Sequence, residues 1–273
     1  MYTGKNNIQQ KLYISILIVL LILCTVFAFT LVIKNKQRDV FKESSKSQLS
    51  RSIDLFTEVK ESVIKNPLLD YTFWDEMLDF VKKPTVKWAQ LNMDPTLNTF
   101  KVHALWVFDT TQNVIYSIYN PQYSILNEFP LPKTVFKQLN KKKYLHAFYF
   151  SDNTLVEILA STIHPSDDPD RLTLPGGYLF YARIWNKELL EEFSLVTNSN
   201  INIIKRIPDN YKIAKTDIQL YKPLLTFENV PVAYLNVNKK FGAFLLFEKF
   251  SKIYFPRISV SVFLRNSLTN CCN

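Results

Sequence analysis

Residues 12–33 read LYISILIVLLILCTVFAFTLVI, a run without a charged side chain, and this run decides the architecture of the chain. A helix rises about 1.5 Å per residue, so about 20 apolar residues cross the ~30 Å hydrocarbon core of a bilayer. The run is longer than the apolar region of a typical signal peptide, and no small-x-small cleavage site stands near its end. We predict a transmembrane helix over 12–33, preceded by a short N-terminal stub over 1–11.

The charges that flank this run leave the orientation of the chain open. Lys5 and Lys11 precede it, but more basic residues follow it within 34–46. Counted alone, this excess favours a large domain that stays in the cytoplasm, yet long domains cross a membrane largely regardless of charge.

Composition excludes several classes of protein. The net charge of +9 comes from scattered basic residues rather than a stripe interleaved with aromatics, so no nucleic acid partner is expected and attraction to a lipid bilayer is the better use of the charge. The cysteines, Cys24, Cys271 and Cys272, lie in the apolar run or at the end of the chain, which excludes a disulfide framework in the body. With 47% hydrophobic residues, the body can bury a full core.

The segment that follows the membrane run has the pattern of a long helix. Residues 35–64 contain neither proline nor glycine, and apolar side chains recur at steps of three and four: Leu49, Ile53, Phe56, Val59 and Val63. We predict a stalk helix over 34–66 that ends at Pro67. Its apolar stripe can pack on its own domain or face a second copy in a homodimer through the stalk helix, and the two uses can coexist.

Residues 67–240 form the predicted main domain, of class α+β, with an antiparallel sheet and helices on one face. Helices are predicted over 70–82, 132–139 and 187–196, the last with Asn186 as N-cap. Strands are predicted over 102–109, 114–119, 144–150, 155–163, 178–185, 201–206, 218–224 and 232–238. Residues 241–273 are predicted to be a C-terminal tail, possibly truncated, because the apolar stretch 241–247 is too short to span a bilayer.

Signals for catalysis are scarce. Four glycines in the whole chain leave no glycine-rich phosphate loop. His103, His146 and His164 are expected to be ordinary strand residues, and the Ser166, Asp167, Asp168 and Asp170 loop is expected to be solvated, although its oxygens could hold a hard cation. We predict no enzyme activity, no metal and no cofactor.

The segment 70–81, DYTFWDEMLDFV, is the most distinctive part of the body. At helical spacing Tyr71 and Trp74 share one face, and Asp70 and Asp75 place carboxylates beside it. Such a helix can form one wall of a ligand pocket, with aromatic area for affinity and a carboxylate for orientation. Alternatively, Tyr71 and Trp74 belong to the core and Asp70 caps the helix.

This segment resembles the Asp-Tyr-x-x-Trp-Asp signature of the fourth class of CHASE domain, an extracytoplasmic sensory module. The resemblance covers about residues 39–238. Further matching positions are Leu91 and Asn92, the strand and turn at 106–109, the strand GYLFYAR over 177–183, the Tyr221, Pro223 and Leu224 strand, and the closing strand over 230–237.

The resemblance implies a PAS-like or Cache-like antiparallel sheet between two membrane helices, feeding a histidine kinase or a cyclic-di-GMP enzyme such as a diguanylate cyclase. It also implies a cytoplasmic N-terminus and an exported domain. This sequence departs from the pattern in having one membrane helix and no output module, and Gln112 or Asn113 replaces a glycine. It is expected to be either a truncated receptor or a stand-alone sensor that acts through another protein.

We therefore predict a sensor anchored in the bacterial inner membrane by a single helix, with an unknown small ligand or periplasmic partner. The predicted ligand contacts are Asp70, Tyr71, Trp74 and Asp75, with Arg183 as an anion partner facing the same region. The signal would pass along the stalk as a piston, rotation or dimer rearrangement. The alternative is a membrane-anchored scaffolding or protein-interaction protein without a small-molecule ligand.

Overall fold

The computed structural model describes residues 4–151, 153–208 and 217–240. Contacts within the chain divide it into two compact units, residues 1–49 and 50–273. The tail predicted over 241–273, with its apolar stretch 241–247 and with Cys271 and Cys272, lies outside the described residues.

The first unit is helical and strongly apolar. It holds the beginning of helix α1, which runs over Gly4–Tyr71. Within α1 the segment Gln10–Ile33, 24 residues with a mean hydropathy of 3.2, is long and apolar enough to cross a membrane, and none of its most apolar window is buried in the protein. This finding agrees with the predicted transmembrane helix over 12–33.

Helix α1 was predicted to end at Pro67, but it continues through this proline to Tyr71. A proline inside a helix removes one hydrogen bond, but Ile64 and Leu68 on either side of it are fully buried against the sheet domain. The single helix predicted over 70–82 is therefore wrong. The chain turns at Thr72, whose carbonyl accepts a hydrogen bond from the amide of His164, and helix α2 begins only at residue 75.

The elements after α1 follow the predicted order closely. Helices are α2 Asp75–Lys82, α3 Val86–Asn92, α4 Asp94–Thr99, α5 Thr134–Lys142 and α6 Lys187–Thr197. Strands are β1 Ala104–Phe108, β2 Val114–Tyr119, β3 Tyr144–Ser151, β4 Thr154–Ile163, β5 Gly177–Ile184, β6 Asn200–Ile204, β7 Asp217–Leu225 and β8 Pro231–Lys240. All the predicted strands are confirmed to within a few residues at their ends, whereas α3 and α4 were not predicted. The N-cap role of Asn186 is also confirmed, since its side chain accepts from the Leu189 amide at 3.0 Å.

Two antiparallel sheets carry the domain. The larger has the strand order β2-β1-β5-β4-β3, and the smaller has the order β6-β8-β7. Every residue of β1 and β5 is buried, which is typical of strands that are covered on both faces. The predicted α+β class with an antiparallel sheet is confirmed.

Helices cover both faces of the larger sheet, not one as predicted. Residues of α1, α2 and α3 pack on the face that includes Leu105 and Val107. Helix α5 packs on the opposite face, where Trp106 and Phe180 lie. Alternate residues of β1 thus serve two separate cores, because successive side chains of a strand point to opposite faces.

The β1–β2 turn shows how the chain does without the glycine usual at this place in CHASE-like sequences. Gln112 adopts a left-handed φ of 65°. The carboxylate of Asp109 accepts from the amides of Thr111 at 2.8 Å and Asn113 at 2.9 Å, which holds the turn in this conformation.

Candidate functional site

The predicted ligand residues 70–75 lie at the turn that joins α1 to α2. Asp70 is exposed in the last turn of α1, so it does not cap the start of a helix as the alternative reading supposed. The Tyr71 hydroxyl donates to the Asn92 carbonyl at 3.3 Å. The Trp74 ring packs between Tyr71 and Trp88, with ring centroids 5.7 and 5.4 Å away.

Asp75 connects this turn to the loop between β4 and β5. Its two carboxylate oxygens accept from the Ser166 amide at 2.8 Å and from the Ser166 hydroxyl at 2.5 Å. These hydrogen bonds, led by the one from the hydroxyl, lower the pKa of Asp75. The carboxylate that was predicted to orient a ligand is therefore engaged within the protein.

In the loop of residues 164–176, Asp167 and Asp170 are exposed as expected, but Asp168 is buried and hydrogen-bonded within the loop. Asp168 accepts from the Thr173 hydroxyl at 2.6 Å and from the Leu172 amide at 2.8 Å, and these bonds, the hydroxyl first, hold the pKa of Asp168 well below its usual range. His164, fully buried, lies 3.2 Å from the same carboxylate. Among the described residues, no group of three or more histidine, cysteine or acidic side chains is placed to hold a metal ion.

Arg171 joins the same loop to the α1–α2 turn. Its guanidinium donates to the hydroxyls of Thr72 and Ser161 at 2.8 Å each, and it lies 4.0 Å from the centroid of the Phe73 ring. Burial lowers the pKa of Arg171 to about 10, which leaves it charged at neutral pH. The turn at 70–75 is thus held to one loop by four hydrogen bonds, which His164, Ser166 and Arg171 donate. Its role in binding a ligand stays a prediction.

Arg183 is not brought to this turn. In β5 it stands opposite Glu157 of β4 in the register of the sheet. Its Nε donates to Glu157 Oε2 at 2.7 Å, and its Nη1 donates to the backbone carbonyl of Lys60 in α1 at 3.0 Å. The Glu157 side chain is 1% exposed and also accepts from Trp185 Nε1 at 2.9 Å. Arg183 therefore links the sheet to the stalk helix.

His146 of β3 completes this link. Its Nδ1 lies 3.1 Å from Glu61 Oε2 and its Nε2 lies 2.8 Å from Glu157 Oε1. A neutral imidazole has a single N–H, so only the imidazolium can donate to both carboxylates. His146 lies in a strand as predicted, but its pairing with two carboxylates was not predicted. We call Glu61, His146, Glu157 and Arg183 the charge network.

The ionisation of the charge network follows from its geometry. Burial opposes the charged form of His146, but the hydrogen bonds and negative charges of Glu157 and Glu61 prevail and raise the pKa of His146 to about 9. In return, the hydrogen bond to His146 is the main reason that the pKa of Glu61 falls to about 2. Two anions and two cations therefore alternate, and Tyr144 closes the series by donating to Glu61 Oε1 at 2.8 Å.

A cleft of about 460 Å³ opens beside the charge network. Lys60 of α1 and Arg183 of β5 line it, together with residues that precede β1 and residues of α6. The sequence held one signal for this region: a lone glutamate in the apolar run LVEILA and a lone arginine in LFYARI. A charge inside a buried strand requires a partner.

Comparison with known proteins gives a family match and several solved structures that align with most of this chain. The model of the CHASE4 domain matches residues 60–204, more than half of the chain. No curated protein sequence matches the chain significantly.

Two of these solved structures are periplasmic domains. The periplasmic domain of LuxQ from Vibrio cholerae is 12% identical, with 73% of this chain and 98% of that chain covered and a TM-score of 0.43. The periplasmic domain of RsbU from Chlamydia trachomatis is 10% identical, with 77% and 96% covered and a TM-score of 0.41.

The matched region holds the end of α1, the turn at 70–75, the whole larger sheet and all four members of the charge network. The resemblance carried by DYTFWD is thereby confirmed. The chain belongs to the CHASE4 domain family.

Proposed function

We propose that this protein is a membrane-anchored sensor whose extracytoplasmic sheet domain detects a small ligand or a periplasmic partner and whose helix α1 carries the signal. Membership in the CHASE4 family and the apolar segment Gln10–Ile33 support this proposal. The anchor would lie in the bacterial inner membrane. The output would be a histidine kinase or a cyclic-di-GMP enzyme, the outputs that the family resemblance implies.

The observation that carries the proposal is the charge network. It connects three strands of the sheet to two consecutive residues of α1, through the side chain of Glu61 and the carbonyl of Lys60. Directional bonds between charged groups fix one register between helix and sheet more sharply than apolar contacts do. A ligand that favours a second arrangement of the sheet must displace these bonds, and α1 then shifts.

A second copy of the chain is the proposed partner of α1. The predicted apolar stripe divides: Ile53 is buried and Phe56 packs edge-on against Phe193 at 4.4 Å, whereas Val59 and Val63 stay 57% and 47% exposed. Leu55, 54% exposed, extends the exposed row at a spacing of four residues. Own-domain packing is confirmed for the buried members. A parallel homodimer would cover Leu55 and Val59, whereas Val63 lies beside the cleft.

Membrane topology tests the central claim. A reporter that is active only outside the cytoplasm should be active in cells when it is fused after residue 240. A reporter that is active only in the cytoplasm should be inactive at the same position. The opposite pattern would overturn the sensor proposal, because the domain would never meet an external cue.

Cysteine cross-linking tests the homodimer. In a chain with Cys24, Cys271 and Cys272 replaced by serine, Val59→Cys should form a disulfide-linked dimer in membranes on mild oxidation. Glu58→Cys, one position away on the helix and also exposed, is the matched control and should link poorly. Equal linking at both positions would contradict a defined interface.

The alternative of a scaffolding protein without a small ligand is tested by ligand binding. The cleft beside Arg183 is a specific place at which to look for it.

A further inference from the structure

The cleft beside the charge network has an apolar wall and a polar floor. Its apolar residues are Val63 of α1, Phe100, Ile184 and Leu189 of α6. A volume of about 460 Å³ falls within the range of about 300–1,000 Å³ that small-molecule pockets occupy. The cleft can therefore take a small organic molecule with an apolar body.

Arg183 places hydrogen-bond donors at the floor of the cleft. Arg183 is 6% exposed, and its five N–H groups are only partly used by Glu157 and by the Lys60 carbonyl. Its Nη2 lies 2.6 Å from Glu157 Oε2 within the ion pair and is shielded from solvent, which leaves the second N–H of Nη1 for the cleft. A buried guanidinium with one spare N–H favours a ligand that brings lone pairs.

His103 adds a donor of fixed position to the same cleft. Its Nδ1 accepts from the Ile184 amide at 2.9 Å, so in the neutral ring the proton is on Nε2. Burial first, and then the charge of Arg183, lower the pKa of His103 to about 4, so the ring is neutral at pH 7. Among the described residues, Nε2 finds no acceptor.

The start of α6 supplies two further donors. The Asn186 side chain satisfies the amide of Leu189. The amides of Lys187 and Glu188, in the first turn, have no carbonyl of the helix to reach, and they carry the positive end of the helix dipole.

The acceptors of the cleft lie at its rim. Glu192 is already paired with Lys60, and Glu188 is exposed. Lys101, also exposed, lines the rim and forms no ion pair with a described residue. Donors at the floor and a free ammonium at the rim favour an anionic group that points inward.

We propose that this cleft binds a small organic monocarboxylate, with its carboxylate on Arg183 and His103 and its apolar body against Val63, Phe100 and Leu189. This assignment rests on the proposed sensor function for its role as the signal input. Lys60 and Val63 of α1 line the cleft, and so does Arg183, which donates to the Lys60 carbonyl. The ligand would therefore act on the helix and on the charge network directly.

Calorimetric titration of the full chain in lipid nanodiscs tests the assignment, with benzoate as the probe. Benzamide, of the same shape but neutral, is the ligand control, and empty nanodiscs provide the blank. Lys101→Glu should weaken benzoate binding at least about twofold, as expected when one exposed positive charge is replaced by a negative charge. Lys137→Glu, an exposed lysine of α5 outside the cleft, is the matched variant and should leave binding unchanged.

Each outcome bears on the proposal. Saturable binding of benzoate but not of benzamide, weakened by Lys101→Glu alone, supports it. No binding of benzoate at tens of millimolar, equal binding of benzamide, or equal effects of the two variants would overturn it. Such a failure would leave the sensor proposal standing, since that proposal depends on topology. A cytoplasmic location of the domain would in turn leave a measured benzoate affinity intact.

Discussion

Replacing His146 by glutamine should remove a pH-dependent part of the stability of the domain. In the folded protein the imidazolium lies between two carboxylates at 2.8 and 3.1 Å, and its pKa is raised from 6.5 to about 9. A shift of this size corresponds to about 3 kcal/mol of stability. Glutamine is neutral and cannot supply the two charged hydrogen bonds that the imidazolium donates.

The direction of the pH effect follows from the direction of the shift. The folded state binds the proton of His146 more tightly than the unfolded state does. The contribution of about 3 kcal/mol is therefore complete below pH 6.5, declines as the pH rises, and is lost above pH 9. The wild-type protein should lose this stability between pH 6.5 and 9, whereas His146→Gln should change little over that range.

Urea unfolding of the full chain in detergent micelles measures this effect, with tryptophan fluorescence as the signal. His103→Gln is the matched control, because the pKa of His103 is lowered to about 4 and its ionisation adds no pH dependence above pH 6.5. The control should retain the alkaline loss of stability. If His146→Gln retains it as well, the imidazolium between Glu61 and Glu157 is not its source, and the charge network as described is wrong.

Two further predictions concern the β4–β5 loop and the first residue of β5. Gly177→Ala would place a Cβ 2.6 Å from a backbone carbonyl oxygen of β1 and should cost about 1–3 kcal/mol in urea unfolding, whereas Gly176→Ala meets only the tip of a flexible leucine and should cost less. The reverse order would contradict the packing described. Asp75→Ala should speed chymotrypsin cleavage within residues 164–176 several-fold, because the bonds that hold this loop are lost, while Asp79→Ala, exposed on the same helix, should not.

The strands were predictable because each is a short run of β-branched and aromatic residues between polar turns. Helices α3 and α4 were not, since each is only six or seven residues long and depends on tertiary contacts for its stability. The break between helices α1 and α2 at Thr72 could not be predicted from the sequence either. The apolar periodicity continues across it, and the hydrogen bond that sets the turn comes from His164, far along the chain.

The charge network could be predicted only in part from the sequence. The glutamate and arginine inside buried strands indicate a buried ion pair, but their pairing depends on strand register, which places Glu157 opposite Arg183. His146 and Glu61 join only because β3 is the edge strand beside α1. The turn at 70–75 could be recognised in the sequence as a family signature. Its contacts with Ser166 and Arg171 were not, because loop conformation is not encoded in a periodic pattern.

The strength of the charge network bears on how a ligand could signal through it. If the bonds that reach α1, at Glu61 and at the Lys60 carbonyl, contribute about 3 kcal/mol in total, they hold α1 in one register for more than 99% of the time. To release the helix, a ligand must bind the shifted state about 150-fold more tightly, which lies at the upper end of typical allosteric coupling. A purely apolar contact would allow α1 to slide through intermediate registers. A ligand carboxylate that competes with Glu157 for Arg183 would supply this difference in affinity at the point where α1 is held. Ligand binding would then release the helix directly, without a chain of intermediate contacts.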